Sequence, residues 1–106
     1  MIKFTIITVC YNAEDSIAKT VGSVLQQTYK NYEYIIVDGA SKDNTVHILE
    51  EYKNPLMCIY SEPDKGISDA FNKGISYSQG EYLCFLNSGD YFIDKDVLKN
   101  VFRDLE

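Results

Sequence analysis

The apolar positions of this chain alternate between two spacings, and each switch marks a new element. Phe4-Thr5-Ile6-Ile7-Thr8-Val9 is a β-branched run, which predicts a first strand over Lys3 to Val9. Ile17, Val21, Val24 and Leu25 then recur at i, i+4, i+7 and i+8, the stripe of one helix face. Asn12 reads as the N-cap of that helix, with Glu14 and Asp15 in its first turn and an end near Gln27 or Thr28. A second strand is predicted from Tyr32 to Val37. The loop 38–43 leads from it to a helix capped by Asp43 or Asn44, with Val46, Leu49 and Tyr52 facing inward. Pro55 closes this helix, and Leu56 to Tyr60 forms a short third strand. After the polar stretch Ser61 to Ile67, Ser68 caps a third helix carrying Ala70, Phe71 and Ile75 on one side. Gly80 ends the connection to a fourth strand, Glu81 to Leu86, whose apolar run Tyr82-Leu83-Cys84-Phe85-Leu86 reads as buried. Val97, Leu98, Val101, Phe102 and Leu105 outline a last helix, with Asp94 or Asp96 as its cap.

The order βαβαβαβα predicts an α/β fold: three layers, α/β/α, around a mainly parallel, Rossmann-like sheet with right-handed crossovers. The 106 residues suffice for one small domain. The helical pattern runs to Glu106 with no loop or capping glycine after it, so the chain is read as the amino-terminal part of a longer protein. An apolar share of 45% supports a real core. The formal net charge of −6 argues against a nucleic-acid partner but leaves an anionic ligand open, because a divalent cation reverses the local sign. Cys10, Cys58 and Cys84 form no close pair and read as reduced core residues, and His47 alone offers no histidine-based chemistry. No run approaches the roughly 20 apolar residues of a membrane span, and Met1-Ile2-Lys3-Phe4 begins no signal peptide, so the expected location is the cytoplasm.

Candidate chemistry gathers where strands end. Leu86-Asn87-Ser88-Gly89-Asp90 places an aspartate just past the fourth strand, where it can hold a hard cation. The second strand ends likewise at Asp38-Gly39. Ligands of open α/β sheets sit outside the carboxyl ends of the strands, so the two acids are expected side by side around one ligand. Tyr11, directly after the first strand, offers a flat ring for a nucleobase, a contact tolerant of base identity. Ionised Asp38 accepts hydrogen bonds only, which suits the imide N–H of uracil or ribose hydroxyls. Asp69, Asn72 and Lys73 share one face of the third helix. They form either a plain i, i+4 surface pair or a polar pocket wall in which Lys73 offsets phosphate charge. Gly74 within that helix points to the close approach of another backbone, and Asp64-Lys65-Gly66 by itself reads as a solvated turn.

Taken together, these segments resemble the family 2 glycosyltransferases with the GT-A fold. Thr5 to Asn12 is similar to the family's opening strand and its Tyr-Asn. Ile36 to Thr45 resembles the Asp-Gly-Ser-x-Asp-x-Thr segment, with Ala40 inserted before Ser41. Asp64 to Gly74 resembles the mid-domain signature, and Gly80 to Asp90 the strand entering the Asp-x-Asp metal motif. The resemblance implies a nucleotide-diphosphate sugar donor, usually a UDP-sugar, with Mg²⁺ or Mn²⁺. It implies Tyr11 stacked on the base and Asp38 hydrogen-bonded to it. Thr8 would line the same pocket through its side chain and Val9 through its backbone, and Asp90 would be the metal ligand bridging to the diphosphate. Asn87 stands at the first acid of the motif and Gly89 at the second, so Asn87 offers only an acceptor for a ribose hydroxyl or a metal-bound water.

The implied reaction is inverting transfer of the sugar to an acceptor hydroxyl in bacterial surface polysaccharide synthesis. The acceptor would be a saccharide or a lipid-linked saccharide at the inner face of the membrane. In this family the catalytic base lies well after the metal motif, so no catalytic residue is assigned here and these 106 residues alone are expected to bind donor without transferring. A sugar-1-phosphate nucleotidyltransferase would need a glycine- and arginine-rich loop where Cys10-Tyr11-Asn12-Ala13-Glu14 stands. A non-catalytic nucleotide-binding or interaction module would keep the pocket without the chemistry. Apolar surface on the last helix and one sheet edge predicts self-association.

Overall fold

The computed structural model describes residues 1–105. Its elements follow the expected order: β1 (Phe4–Cys10), α1 (Ile17–Leu25), β2 (Tyr32–Asp38), α2 (Thr45–Glu51), β3 (Met57–Ser61), α3 (Ile67–Tyr77), β4 (Tyr82–Phe85) and α4 (Val97–Leu105). The strands form one sheet in the order β3-β2-β1-β4. Every pairing is parallel, with Cys10 opposite Asp38 and Asp38 opposite Ser61. All four carboxyl ends therefore lie on one rim.

Side chains alternate between the two faces of a strand, and the core divides accordingly. Phe4, Ile6, Tyr34 and Ile36 pack with Ile17, Val21, Val24, Leu49 and Leu98, from α1, α2 and α4. On the opposite face Ile7, Val9, Ile35 and Val37 pack against Ala70 of α3. This is the three-layer α/β/α arrangement. Gly74 is explained by the α3 layer, though by a side chain rather than a backbone: a Cβ there would lie 2.6 Å from Ile7 Cγ2.

Several local expectations are corrected. Asn12 caps no helix. It takes the left-handed conformation, φ 49°, and α1 begins only at Ile17, after Ser16. Its amide N–H donates to Ser41 Oγ and its Oδ1 accepts from Lys42 N, so it clasps the loop after β2 instead. Gly66, not Ser68, precedes α3, and Ile75 is exposed on it. The hydroxyl of Thr28 takes up Asp96 Oδ1, while buried Gln27 accepts the N–H of Leu98 and so caps α4 from another element. The largest departure is β4. Tyr82, Leu83 and Phe85 are 42%, 40% and 49% exposed, because β4 is an edge strand and helical cover over it is incomplete. Leu86, just beyond it, is buried.

Candidate functional site

The rim is knitted by short loops that bond to one another. After β1, Ala13 N donates to Thr45 Oγ1 and Glu14 N to Asp43 Oδ2. Asp43 Oδ1 in turn accepts both the N–H and the hydroxyl of Thr45. The hydroxyl bond is the main reason the Asp43 carboxyl sits below the usual carboxylate range. The loop after β4 is tied in by Ser88 N donating to Val9 O and Gly89 N to Thr20 Oγ1.

Between these loops lies a cleft of about 410 Å³, bounded by Val9 in β1 and Tyr11 just after it, Asp64 and Ile67 before and in α3, and Asn87 and Ser88 after β4. Of the residues expected in the site, Val9, Tyr11 and Asn87 line it. Tyr11 is 55% exposed, so one side of its ring is free for a flat partner.

Thr8 does not reach the cleft. It is fully buried on the α1–α2 face, bonded through its hydroxyl to Tyr34 Oη at 2.7 Å. Asp38 lies at the rim but faces inward and has no exposed surface. Its Oδ1 accepts from Ser41 Oγ at 2.5 Å and from Cys10 Sγ at 3.5 Å. Its Oδ2 accepts from Ser41 N at 2.9 Å and from Ser61 Oγ at 2.7 Å. A carboxylate offers about four lone-pair sites, and the chain fills them. Burial, aided by the neighbouring Asp38 charge, pushes the Cys10 thiol far above its ordinary pKa and keeps it protonated as a donor. In this arrangement Asp38 is an anchor joining the ends of β1, β2 and β3, with no lone pair turned to the cleft.

Asp69 and Lys73 also differ from the expected pocket wall. Asp69 Oδ2 accepts the N–H of Lys65. Lys73 Nζ donates to Pro63 O at 2.7 Å, with Glu62 at 3.4 Å and Asp69 at 3.8 Å. Both side chains brace the loop 62–65, and neither lines the cleft. The ends of β2 and β4 share the rim but are separated by β1 rather than side by side.

Asp90 is exposed, and among the described residues its carboxylate has no hydrogen bond. Among the described residues no three His, Cys, Asp or Glu side chains group as a metal cage. One free carboxylate with the Asn87 amide nearby in sequence suits a Mg²⁺ or Mn²⁺ ion that arrives with a diphosphate. Such ions take one or two carboxylates and complete their shell from phosphate and water.

The sequence reading missed Asp64 in the cleft. Its Oδ1 accepts the N–H of Gly66 at 3.0 Å, the turn expected from Asp64-Lys65-Gly66, with Gly66 at φ 119°. The turn uses one oxygen, and the second is what the turn signal could not announce. Cys10 and Ala70 were likewise hidden inside ordinary strand and helix patterns, and Ser88 inside the turn before Asp90.

Comparison with known proteins agrees with this geometry. A family model described as Glycosyl transferase family 2 matches residues 5–106. The Escherichia coli UDP-Glc:alpha-D-GlcNAc-diphosphoundecaprenol beta-1,3-glucosyltransferase WfaP is 38% identical over 98 residues, which are 92% of this chain and 39% of that protein. The Staphylococcus aureus poly(ribitol-phosphate) beta-N-acetylglucosaminyltransferase TarS is 32% identical over 94% of this chain and 18% of its own length. A crystal structure of S. aureus TarS 1-349 in complex with UDP-GlcNAc superposes with a TM-score of 0.88 at 30% identity, covering 96% of this chain and 30% of that one. The mannosyltransferase PcManGT from Pyrobaculum calidifontis, in complex with GDP-Man and Mn²⁺, shares the fold at a TM-score of 0.86 and 23% identity. The chain thus spans less than half the length of these relatives. With a parallel GT-A-type sheet, a ligand-sized cleft on its carboxyl rim and a match across nearly its whole length, this chain belongs to glycosyl transferase family 2.

Proposed function

We propose that this chain is the donor-binding part of a glycosyltransferase that takes a nucleotide-diphosphate sugar, with uridine as the base, and transfers the sugar with inversion to an acceptor hydroxyl. The observation that carries this reading is the cleft on the carboxyl rim, with the exposed ring of Tyr11 at one side and Asn87 with Ser88 at the other. Tyr11 stacks on the base, Val9 lines its pocket, and Asn87 meets the ribose or a metal-bound water. Asp90 supplies the protein carboxylate to Mg²⁺ or Mn²⁺. When bound, the cation offsets the charge that builds on the departing diphosphate. The acid-rich chain, at −6, repels a bare diphosphate, which makes the cation part of recognition. None of the 106 residues is assigned as the base that removes the acceptor proton, so these residues alone bind donor without turnover.

In this reading the reaction serves bacterial surface polysaccharide synthesis, which the names of the relatives support, and the acceptor is a saccharide or lipid-linked saccharide at the inner face of the membrane. No described helix is long and apolar enough to cross a membrane; peripheral association of the longer protein with the membrane is part of the reading. Exposed Tyr82, Leu83 and Phe85 on the edge strand favour self-association of this chain.

Isothermal titration of UDP with and without Mn²⁺ tests the donor site. Binding is expected to require Mn²⁺ and to weaken by about tenfold or more in Tyr11→Ala, since stacking of one base on an aromatic ring contributes roughly 1–3 kcal/mol. In Asp90→Ala the gain from Mn²⁺ is expected to disappear. Equal UDP affinity in the wild type and both variants would remove the reading.

A further inference from the structure

α1 carries two lines of side chains. Ile17, Val21 and Val24 enter the core. Thr20, Ser23 and Gln27, at i, i+3 and i+7, form a second line along the same helix and its last turn. Thr20 and Gln27 have no exposed surface. A buried hydroxyl or amide needs partners, and beyond α1 these three find them on the backbone of the segment that runs from β4 into α4. Thr20 Oγ1 accepts the N–H of Gly89 at 2.9 Å, and Ser23 Oγ accepts that of Phe92 at 3.1 Å. Both hydroxyls give their own protons to helix carbonyls, Thr20 to Ser16 O and Ser23 to Thr20 O, so a lone pair of each is left for the segment. Gln27 Nε2 donates to Asp94 O at 2.6 Å, and Lys19 Nζ stands 3.9 Å from the centre of the Tyr91 ring.

Asp90 lies between the first two of these bonds. Its carboxylate is open to solvent, yet its backbone is held on both sides, and its own N–H donates to Asn87 O at 3.0 Å. Resting on the donor-site reading above, we infer that Thr20 and Ser23 are positioning residues for Asp90: they fix its turn during folding, so that the carboxylate meets a divalent cation without first ordering its loop. Neither lines the cleft, so each acts through Asp90 alone. A carboxylate on a free turn would give up backbone freedom each time it took a cation, and affinity would fall by that amount. Bonds made in folding move the loss to the folding step. Packing does not call for the hydroxyl at position 20: a valine has the same branched shape, but it would leave the Gly89 N–H unpaired.

The test follows two probes by titration: UDP at increasing Mn²⁺, and uridine, which brings no phosphate and no cation. In Thr20→Val the Mn²⁺ concentration that half-saturates UDP binding is expected to rise about tenfold, the low end of what removing an orienting partner of a metal ligand costs. Uridine affinity is expected to stay as in the wild type. Thr20→Ser, which restores the hydroxyl, is expected to recover most of the Mn²⁺ response, and Ser23→Ala to show a smaller loss than Thr20→Val. Thr28→Ala, which frees Asp96 Oδ1 at the far end of the segment, is expected to leave both probes unchanged. Amide hydrogen exchange needs no substitution: Gly89 and Phe92 N–H are expected to exchange slowly in the free wild type, and no slower with UDP and Mg²⁺. An unchanged Mn²⁺ response in folded Thr20→Val would overturn the inference. Equal weakening of both probes, failure of Thr20→Ser to rescue, or Gly89 exchange that slows only with ligand would do the same, and each leaves the donor site standing. If the folded wild type shows no Mn²⁺-dependent UDP binding, the donor-site reading falls first and the inference with it.

Discussion

β1 and β4 are adjacent strands with similar sequences and opposite surroundings. Phe4-Thr5-Ile6-Ile7-Thr8-Val9-Cys10 is buried at all seven positions, with β2 and β4 on its two sides and helices over both faces. Tyr82-Leu83-Cys84-Phe85 has one strand neighbour, and three of its four side chains are exposed. An apolar run thus states that a segment wants to be covered. It does not say by what. Parallel sheets bury their central strands because crossover helices cover both faces, and that protection thins at the edge. The contrast extends to the loops. The central strands end in a bonded lattice around Asp38, whereas β4 ends in the open turn that carries Asp90.

The sharpest way to break this comparison is to truncate one apolar side chain in each region. Ile36→Ala, in the fully buried centre, is expected to lose about 2–5 kcal/mol of stability. Leu83→Ala on the edge strand is expected to lose less, roughly 1–2 kcal/mol, because 40% of its surface stays in water after folding. Urea unfolding measures both, and equal losses would mean that β4 is covered in solution.

The second effect is alkaline destabilisation centred on β1. Burial raises the pKa of Cys10 and of Tyr34 well above their ordinary values, and Cys84 is raised by burial as well. A group whose folded pKa is raised contributes stability that is complete below its unfolded pKa and is lost as pH rises toward the folded value. For thiols the loss begins near pH 8.5, with a slope of up to about 1.4 kcal/mol per pH unit for each group. Unfolding midpoints at pH 7, 9 and 10 should therefore fall steeply in the wild type and less steeply in Cys10→Ala. Parallel curves for the two proteins would place the alkaline loss at groups other than Cys10.

The smallest effect compares two rim turns. Ala40 after β2 and Gly89 after β4 both have left-handed backbones, φ 62° and φ 96°. A side chain costs about 1–2 kcal/mol in that region. Gly89→Ala meets no neighbouring atom within 4 Å, so its expected loss of about 1 kcal/mol is conformational alone. Ala40→Gly is expected to gain a few tenths of a kcal/mol, the strain released being partly offset by the entropy glycine loses on folding. Thermal melts resolve the opposite signs, and a shared sign would mean that contacts rather than φ decide these turns.

Periodicity alone determined the number, type and order of the elements here, because a stripe at helical spacing and a β-branched run are local properties. It also located Tyr11, Asn87 and Asp90 on the rim, since residues that follow parallel strands have nowhere else to go. What it did not carry is direction and partnership. Thr8 and Val9 are neighbours in sequence, yet the pleat turns one to Tyr34 and the other to the cleft. Asp38 and Asp64 both looked like turn acids. Only the folded chain brings Ser41, Ser61 and Cys10 around the first and leaves one oxygen of the second open beside Gly39. Whether a carboxylate is a ligand or a rivet depends on which donors surround it. Those donors come from β1, the loop after β2, and β3, and no short window of the sequence contains them together.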